Sequence, residues 1–493
     1  MKKFALSQLN QRLRQWNVPT TPAVGPQLTP DRRTAVRSGP IPFALAKGVA
    51  DEAQEPPDAA RHIAGATRSA GFGGVACACS LKKAAPVAKR ERPRATVPMA
   101  YLLSRYPACS HTFLLNEIQA LRQLGFEIVT ASINPSDRPS PELEEAERRE
   151  EEKTFYVKRG GFGPALRALV SALVQRPAGV FRGLYFTAWL GGGGVRFFYF
   201  LEALMVGNWM LRHGRSHLHA HFGGPVASVA MIVARTFPVT MSFTVHGPDE
   251  FYDVEKFCLR QKIQTASFVC CISSYARSQL MMFTPAAEWD KLLVSRLGVD
   301  CEKFSPFHRL VAAECVEIVC VGRLVPAKGQ HILLAAVGRL LDGGRNIRLR
   351  LVGDGPERGN LEAMVAEHGI GGRIVFEGAV GASRVRTILA GADIFALPSF
   401  AEGIPVALME AMAMEIPCVS TTITGIPELI RHGVDGLLVA PCEVGQLTAA
   451  LVRLIDDPDQ RRRLGMAGRR RVAEEFDLQR NAKKLGEIFQ CRL

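Results

Sequence analysis

The stretch DIFALPSFAEGIPVALMEAMAMEIPCVST, residues 393–421, contains the pattern that decides the fold. An apolar run at 393–399 predicts a buried strand, a turn follows, and a helix begins near Pro405. A second apolar run at 417–421 predicts another strand. A strand, a helix and a strand in this order are typical of two parallel strands joined by a crossover helix.

The same alternation of short apolar runs and helical stretches extends over the chain from Pro98 onward. Strands are predicted at residues 99–104, 127–132, 217–222, 240–246, 268–273 and 292–298, and then at 316–322, 347–353, 373–378, 393–399, 417–421 and 436–440. Two such sets, joined near residues 305–315, predict an α/β chain with two doubly wound domains facing each other. Ligands in such sheets bind at the carboxyl ends of strands, so the cleft between the domains is the predicted site.

The composition fits two or three folded domains preceded by a basic leader. Of the 493 residues, 47% are hydrophobic, and the net charge is +14. Residues 1–97 hold sixteen Lys and Arg against six Asp and Glu, with ten of the thirty prolines, so we predict a disordered basic tail. Two interpretations stay open: a tail that binds anionic lipid or nucleic acid, and a solvated leader without a specific partner. We favour the second and expect no nucleic-acid partner.

The twelve cysteines are scattered without a C-x-x-C pair, and no secretory signal is visible in the sequence. Buried thiols in a reducing cytosol explain this usage better than a disulfide framework or a zinc site. We therefore expect a cytoplasmic protein.

Residues 162–212 are rich in Leu, Phe and Arg and are interrupted by Arg182, Arg196 and four glycines at 191–194. No uninterrupted run reaches the roughly 18–20 apolar residues that a membrane span needs. The helices expected here lie on a bilayer with basic residues toward lipid phosphates, pack on the first sheet, or do both. We expect an anionic membrane surface as a partner, on the inner face of the cytoplasmic membrane.

Glu410 is the single charged residue in the apolar run 406–414. A carboxylate on a buried helix is costly unless it is paired or hydrogen-bonded. Two explanations remain open at this point. Glu410 accepts hydrogen bonds from the hydroxyls of a sugar, or it bonds a core backbone group or an arginine.

The turn before this helix predicts a binding loop. Gly403 lets a ligand come close to the backbone, and Pro405 suits the first helical position. The free N–H groups of Gly403, Ile404 and Val406 would then point outward, toward anions or hydroxyls. Glu402 lies in the same turn, where we expect it to bury little surface and to accept hydrogen bonds from sugar hydroxyls.

A second group of candidates follows the buried strand at 316–322. This strand ends in Gly322, and Arg323 and Lys328 come shortly after it. Two cations at the carboxyl end of a parallel strand suit a diphosphate, with Arg as a fork and Lys as a point charge. The alternative is a pair of solvated surface charges. The G-x-G at 353–355 lacks the dinucleotide spacing, which argues against a dehydrogenase.

The histidines and acidic motifs give little support for a metal. His219 and His221 alternate along a predicted strand, but no carboxylate or Cys cluster joins them, so a structural role is favoured. The cleft loops contain no D-x-D motif. We therefore expect no metal and no cofactor.

The second half resembles the family-4 retaining glycosyltransferases of the two-domain GT-B fold. The matching pieces, in family order and spacing, are VGRLVPAKG, LVGDGP, FEGAV, ADIFALPSFAEGIPVALMEAMAMEIPCVSTTITGIPELI and GVDGLLV. Glu402 and Glu410 match the family's E-x7-E motif. The resemblance excludes the tail at 1–97. It implies an acceptor-binding domain at 98–310, a nucleotide-sugar-binding domain at 311–475, and a C-terminal helix at 476–493 that crosses back to the first domain.

The first half is similar to the subgroup that builds bacterial exopolysaccharides of the colanic-acid and succinoglycan type, through AYLLSRYPACSHTFLLNEI, HAHFGGPVA and SFTVHGPDEF. That subgroup usually has Ser-Glu-Thr-Phe in the first loop, where this chain has Ser110, His111, Thr112 and Phe113. The departure affects the acceptor or diphosphate contacts expected of this loop. Glu415 stands where the family usually has Gly, at a helix end, where we expect little effect on function.

The resemblance implies a role for each matching residue of the second half. Arg323 and Lys328 would bind the donor diphosphate and stabilise the departing nucleotide. Glu410 would hold the ribose, and Glu402, with the backbone of residues 403–405, would hold the transferred sugar.

Further roles are implied on the other side of the predicted cleft. His246 matches a first-domain His near the donor sugar and acceptor, although a strand-end His that caps the sheet is the alternative. Asp249 is a candidate in the same loop, and the loop at 378–380 would border the base. The complete set is His246, Arg323, Lys328 and Glu402 for catalysis; Gly322, Gly378, Val380, Gly403, Ile404, Pro405 and Glu410 for the donor; and Ser110, His111 and Asp249 for the acceptor side.

The implied activity is retaining, metal-independent transfer of a hexose-type sugar from a UDP- or GDP-sugar to a lipid-linked or other saccharide acceptor. Two alternatives remain open. A sugar-nucleotide epimerase of the same fold would need no acceptor. A scaffold subunit would have lost turnover, and His111 is the substitution that points to it.

Overall fold

The computed structural model describes residues 98–191, 193–306 and 315–493. The basic tail expected at 1–97 and the domain boundary expected after residue 310 lie outside the described residues. Within them, two parallel sheets are flanked by helices, which confirms the predicted GT-B-type α/β fold. The stretch at 393–421 forms a strand, a helix and a strand, and Phe395 in the first strand is the register partner of Cys418 in the second.

The first sheet has seven parallel strands. They are β1 (Met99–Arg105), β2 (Ile128–Asn134), β3 (Phe155–Tyr156), β4 (His217–His221), β5 (Thr240–Val245), β6 (Val269–Cys271) and β7 (Leu292–Val294). Their order across the sheet is β3-β2-β1-β4-β5-β6-β7. Met99 at the start of β1 pairs with Ile128 on one side and His217 on the other. The order reverses beside β1, and such a switch point is where α/β sheets open a binding crevice.

Helices connect the strands of the first sheet. They are α1 (Thr112–Gln123), α2 (Glu145–Lys153), α3 (Phe162–Gln175), α4 (Pro177–Trp189), α5 (Gly193–Arg212), α6 (Pro225–Thr236), α7 (Leu259–Thr265) and α8 (Ser274–Phe283). Prolines begin α4 and α6, where the missing N–H removes no helical hydrogen bond. No helix in the described ranges is both long and apolar enough to span a bilayer.

The second sheet has six parallel strands. They are β8 (Val316–Val321), β9 (Ile347–Val352), β10 (Ile374–Gly378), β11 (Ile394–Leu397), β12 (Cys418–Thr421) and β13 (Leu437–Val439), in the order β10-β9-β8-β11-β12-β13. The accompanying helices are α9 (Gln330–Asp342), α10 (Arg358–Glu367), α11 (Ala382–Leu389), α12 (Val406–Ala413), α13 (Ile426–Leu429), α14 (Val444–Asp456), α15 (Pro458–Glu475) and α16 (Leu478–Arg492). Ile318, Leu349 and Phe395 of the central strands are fully buried, as expected where helices cover a parallel sheet.

The C-terminal helix α16 packs on the first sheet although it follows the second one in sequence. Its Leu485 and Phe489 are buried in a cluster with Met99 and Tyr101 of β1. The side chain of Asp477 caps the helix by accepting a hydrogen bond from the backbone N–H of Arg480. The chain end therefore contributes core to its first half.

We predict that Phe489→Ala lowers the free energy of unfolding by about 3–5 kcal/mol, because it leaves a cavity in a fully packed cluster. Urea denaturation followed by circular dichroism measures the change. Cys491→Ala, two residues later on an exposed position, is the control and should leave the midpoint unchanged. Equal midpoints for Phe489→Ala and the control would show that α16 does not stabilise the first sheet.

Candidate functional site

A cavity of about 440 Å³ lies between the two sheets. Residues directly after the carboxyl ends of several strands line it: His246 after β5, Ile272 after β6, Gly322 after β8 and Gly353 after β9. The loop that follows β1 contributes residues 109–113. The two sheets therefore present their carboxyl edges to one cleft, which is where parallel α/β sheets bind ligands.

Most of the residues proposed from sequence line this cleft. They are Ser110, His111, His246, Gly322, Arg323, Lys328, Val380, Glu402, Gly403, Ile404, Pro405 and Glu410. Gly378 and Asp249 do not line it. Gly378 has a φ of 73° and its carbonyl accepts a hydrogen bond from the N–H of Gly353 at 2.9 Å, so it shapes the loop from behind. Asp249 is exposed to solvent.

Lys328 and Glu402 form an ion pair in the cleft wall. The Nζ of Lys328 lies 2.5 Å from Oε1 of Glu402, and the hydroxyl of Ser399 donates to the same oxygen at 2.8 Å. Only 8% of Glu402 is exposed, so the expectation that it buries little surface is wrong. The turn folds back because the N–H of Phe400 donates to the carbonyl of Ala327, which brings Glu402 beside the lysine loop.

Arg323 is the second cation of this wall. It is exposed, and within the described residues its guanidinium has no hydrogen-bond or ion-pair partner. Its positive charge also acts on the opposite wall. Burial, and then the charge of Arg323, lower the pKa of His111 to about 4. His111 is therefore a neutral imidazole at physiological pH, and its buried Nδ1 has no partner in the described part of the chain.

Glu410 lines the cleft from the second turn of α12, the helix that follows the Glu402 turn. Its carboxylate has no hydrogen-bond partner among residues 98–191, 193–306 and 315–493, so the alternative of a core backbone or arginine partner is not what the structure shows. Burial raises the pKa of Glu410 to about 7, and the positive charge of Lys303 partly opposes the shift. A carboxylate that lacks a protein partner in a cleft is an acceptor available to ligand hydroxyls.

Gly403 lies at one of the places where the two walls touch. A Cβ on Gly403 would collide with the backbone carbonyl of His246 and with the side chain of Ile272. Helix α12 begins at Val406, one residue later than predicted, with Pro405 as its extended N-terminal cap. The N–H groups of Gly403 and Ile404 donate to no acceptor in the described residues, so they are available at the cleft.

A chain of buried polar groups stands behind His246. Its Nε2 lies 3.0 Å from Nδ1 of His221, and Nε2 of His221 lies 3.3 Å from Oε1 of Glu117, to which the hydroxyl of Tyr101 donates at 3.1 Å. Burial, and then the neighbouring His221, hold the pKa of His246 well below its usual range. Sequence reasoning missed Glu117, because its position in α1 signals nothing until the fold brings it beside β4. His219 bonds the hydroxyls of β5 instead, which is a structural role.

Glu250 organises the loop that carries His246. It is buried, and its carboxylate accepts hydrogen bonds from the N–H groups of Gly223, His246 and Gly247. Burial nevertheless raises the pKa of Glu250 to about 7. Asp249, chosen from sequence, is its exposed neighbour. Adjacent carboxylates in a turn look alike in sequence, and only the fold shows which of them points inward.

Comparison with known proteins identifies the class. Residues 315–457 match the family model described as Glycosyl transferases group 1. A putative colanic acid biosynthesis glycosyltransferase, WcaL of Escherichia coli (strain K12), is 28% identical over 415 residues, which cover 80% of this chain and 99% of that protein. A GDP-mannose-dependent alpha-(1-6)-phosphatidylinositol monomannoside mannosyltransferase of Mycolicibacterium smegmatis is 28% identical over 287 residues, covering 54% of this chain and 74% of that protein.

Solved structures agree on the fold. The crystal structure of Anabaena Alr3699/HepE in complex with UDP matches with a TM-score of 0.61 at 17% identity, covering 80% of this chain and 100% of that chain. The chain therefore carries a glycosyl transferases group 1 domain on a GT-B fold. It is a glycosyltransferase.

We predict that Gly403→Ala destabilises the protein by about 1–3 kcal/mol, because the added methyl group overpacks the contact with the His246 carbonyl. Thermal unfolding measures the change. Gly338→Ala, at a helical position in α9 where a Cβ meets nothing within 4 Å, is the matched control. It should stabilise by roughly 0.5–1 kcal/mol. Stabilisation by both substitutions would contradict the wall contact.

Glu410→Gln should stabilise the protein in a pH-dependent way. In the unfolded chain a Glu ionises near its ordinary value of about 4.3, whereas folded Glu410 does so at about 7. The ionisation of Glu410 therefore leaves the free energy of unfolding unchanged near pH 4. It lowers this free energy increasingly as the pH rises through the window between the two pKa values, and by a constant amount above it. The variant's advantage in urea denaturation should follow the same course. An advantage that is largest at pH 4 would contradict this assignment.

Proposed function

We propose that the protein transfers a sugar from a nucleotide-diphosphate donor to a lipid-linked saccharide in the synthesis of a bacterial exopolysaccharide or cell-surface polysaccharide. The anomeric configuration would be retained, and no metal would be needed. The observation that carries the proposal is the cleft wall at the end of β8. There Arg323, Lys328 and Glu410 line one cleft with the backbone of Gly403 and Ile404, and among the described residues neither the Arg323 guanidinium nor the Glu410 carboxylate has a hydrogen-bond partner.

The names of similar proteins support the substrate classes. WcaL is named for colanic acid biosynthesis, the mycobacterial relative is named as GDP-mannose-dependent, and HepE was crystallised with UDP. We infer a UDP- or GDP-sugar as donor and a polysaccharide precursor as acceptor. A lipid-linked acceptor would bring the enzyme to the inner face of the cytoplasmic membrane as a peripheral protein. The family-4 motifs of the sequence support retention.

The proposed donor site divides the work between two cations. Arg323 has no side-chain partner in the part of the chain that the structure describes, and it would bind the diphosphate with its planar fork. Lys328 is already held by Glu402, which uses one of its three N–H donors and leaves two for phosphate oxygens. Lys328 is therefore held in place before the donor arrives. Charge that develops on the leaving diphosphate would meet this fixed positive group, which is the condition under which such a group lowers a barrier most, and Arg323 would add a second positive charge.

The proposed reaction exchanges one C–O bond for another on the same face of the sugar. The bond between the anomeric carbon and the diphosphate oxygen breaks, a bond to the acceptor hydroxyl oxygen forms, and the hydroxyl proton leaves with the nucleoside diphosphate. Glu402 and Glu410 would accept hydrogen bonds from donor hydroxyls on the second wall. His246 and His111, both neutral, would border the sugar and the acceptor on the first wall.

We predict that Arg323→Ala lowers kcat by roughly 10²–10³ while donor binding weakens less, because the charge it meets is largest in the transition state. Steady-state kinetics with the best donor separates the two effects. Arg463→Ala removes an exposed arginine on α15 and is the matched control. Equal losses in kcat for both variants, or a loss confined to KM, would remove Arg323 from the proposed mechanism.

Activity should survive EDTA, and the first product should carry the donor's anomeric configuration. NMR of the early product reads the anomer directly, and a parallel assay with added Mg²⁺ or Mn²⁺ reads the metal requirement. Strict dependence on the added ion, or an inverted anomer, contradicts the proposal. An incubation with donor alone tests the epimerase alternative, which predicts a changed sugar nucleotide without any acceptor.

A further inference from the structure

Helix α3 buries small residues and exposes large apolar ones. Its buried residues are small, namely Ala165, Ala168 and Ala172. Its large apolar residues Leu166, Val170 and Val174 recur every four positions, and between 53% and 78% of each is exposed. A helix that served only to cover a sheet would bury its large residues and expose its small ones. The outer face of α3 is therefore more apolar than the face of a helix that contacts only water usually is.

Helix α4 repeats the arrangement. It follows α3 after the single residue Arg176, and it buries Val180, Gly183 and Thr187. A Cβ at Gly183 would collide with the side chain of Thr236, so the small residue allows α4 to approach α6 closely.

The outer face of α4 carries three aromatic residues, again four positions apart. They are Phe181, Tyr185 and Trp189, and between 61% and 75% of each is exposed. We call the exposed set Leu166, Val170, Val174, Phe181, Tyr185 and Trp189 the apolar face. Both helices thus bury mainly small side chains and expose large apolar ones.

The charge around the apolar face has one sign. Between residues 154 and 201 the sequence contains six Lys and Arg and no Asp or Glu. Arg167, Arg176 and Arg182 are all exposed on or between the two helices. In the described residues the side chains of Arg167 and Arg176 have no hydrogen-bond or ion-pair partner. Apolar and aromatic side chains among unpaired cations match an anionic bilayer surface.

We propose that the apolar face is a docking surface for an anionic lipid bilayer. The aromatic and aliphatic side chains enter the boundary between headgroups and acyl chains, and the arginines contact lipid phosphates. A second copy of the chain fits this face less well, because it would bring like charges together. The tail at 1–97 carries an excess of ten positive charges and is disfavoured for the same reason. The inference goes beyond the proposed reaction and holds whichever sugar is transferred.

The test is sedimentation of the full-length protein with vesicles. Neutral vesicles contain phosphatidylcholine alone, and anionic vesicles contain phosphatidylcholine with about one third phosphatidylglycerol. We expect strong binding to the anionic vesicles, weak binding to the neutral ones, and a decrease with added salt as the charges are screened. The triple variant Phe181→Ser/Tyr185→Ser/Trp189→Ser should bind at least tenfold more weakly. The affinity of the double variant Arg167→Gln/Arg176→Gln for anionic vesicles should fall about fivefold for each positive charge removed.

Tyr252→Ser/Met282→Ser removes two exposed apolar residues outside the face and is the matched control, which should bind as the wild type does. Donor turnover in solution should be the same for the triple variant and the wild type, so a failed docking test does not bear on the proposed reaction. Three results would overturn the proposal. One is absence of binding to anionic vesicles, another is unchanged binding by the triple variant, as attachment through the tail would give, and the third is a dimer that the triple variant abolishes.

Discussion

The ion pair between Lys328 and Glu402 joins two parts of the chain that are 74 residues apart. It links the loop after β8 to the turn after β11, and the N–H of Phe400 reinforces the link through the carbonyl of Ala327. A buried ion pair repays its desolvation only when further hydrogen bonds complete it, and the hydroxyl of Ser399 supplies one. Removing one partner of such a pair typically costs about 3–5 kcal/mol.

The turn that carries Glu402 also brings the two walls of the cleft into contact. It places Gly403 against the backbone of His246, and the thiol of Cys109 reaches the carbonyl of Val380 at another point. The walls differ in electrostatic character. The second sheet presents Arg323 and Lys328 together with the carboxylates of Asp354, Glu402 and Glu410. The first presents His111 and His246, whose pKa values lie below the usual range because they are buried, and one carboxylate, Asp137. Both cations of the cleft lining thus lie on the second-sheet side, in keeping with the proposed division between donor and acceptor.

The sequence carries strong information about the fold and weaker information about the site. The apolar runs predict most of the strands because parallel strands are buried on both faces, but β3 has only two residues, too few to produce a pattern. The burial of Glu402 was missed because its partner lies far away in sequence. Glu117 and Glu250 were missed for the same reason, since their partners lie on other strands and loops. Residues 162–212 both pack on the domain and expose apolar groups, and only the fold shows that the packing face consists of small residues.

We propose that the diphosphate of the donor binds between Arg323 and the Lys328–Glu402 pair. A thermal-shift panel of UDP- and GDP-sugars, applied to the wild type and to Lys328→Met, tests it most directly. A donor present at 100 times its dissociation constant should stabilise the wild type by about 2.7 kcal/mol, with a much smaller gain for the variant. If no nucleotide sugar stabilises the wild type, or if the variant gains as much as the wild type, the account of the cleft is contradicted.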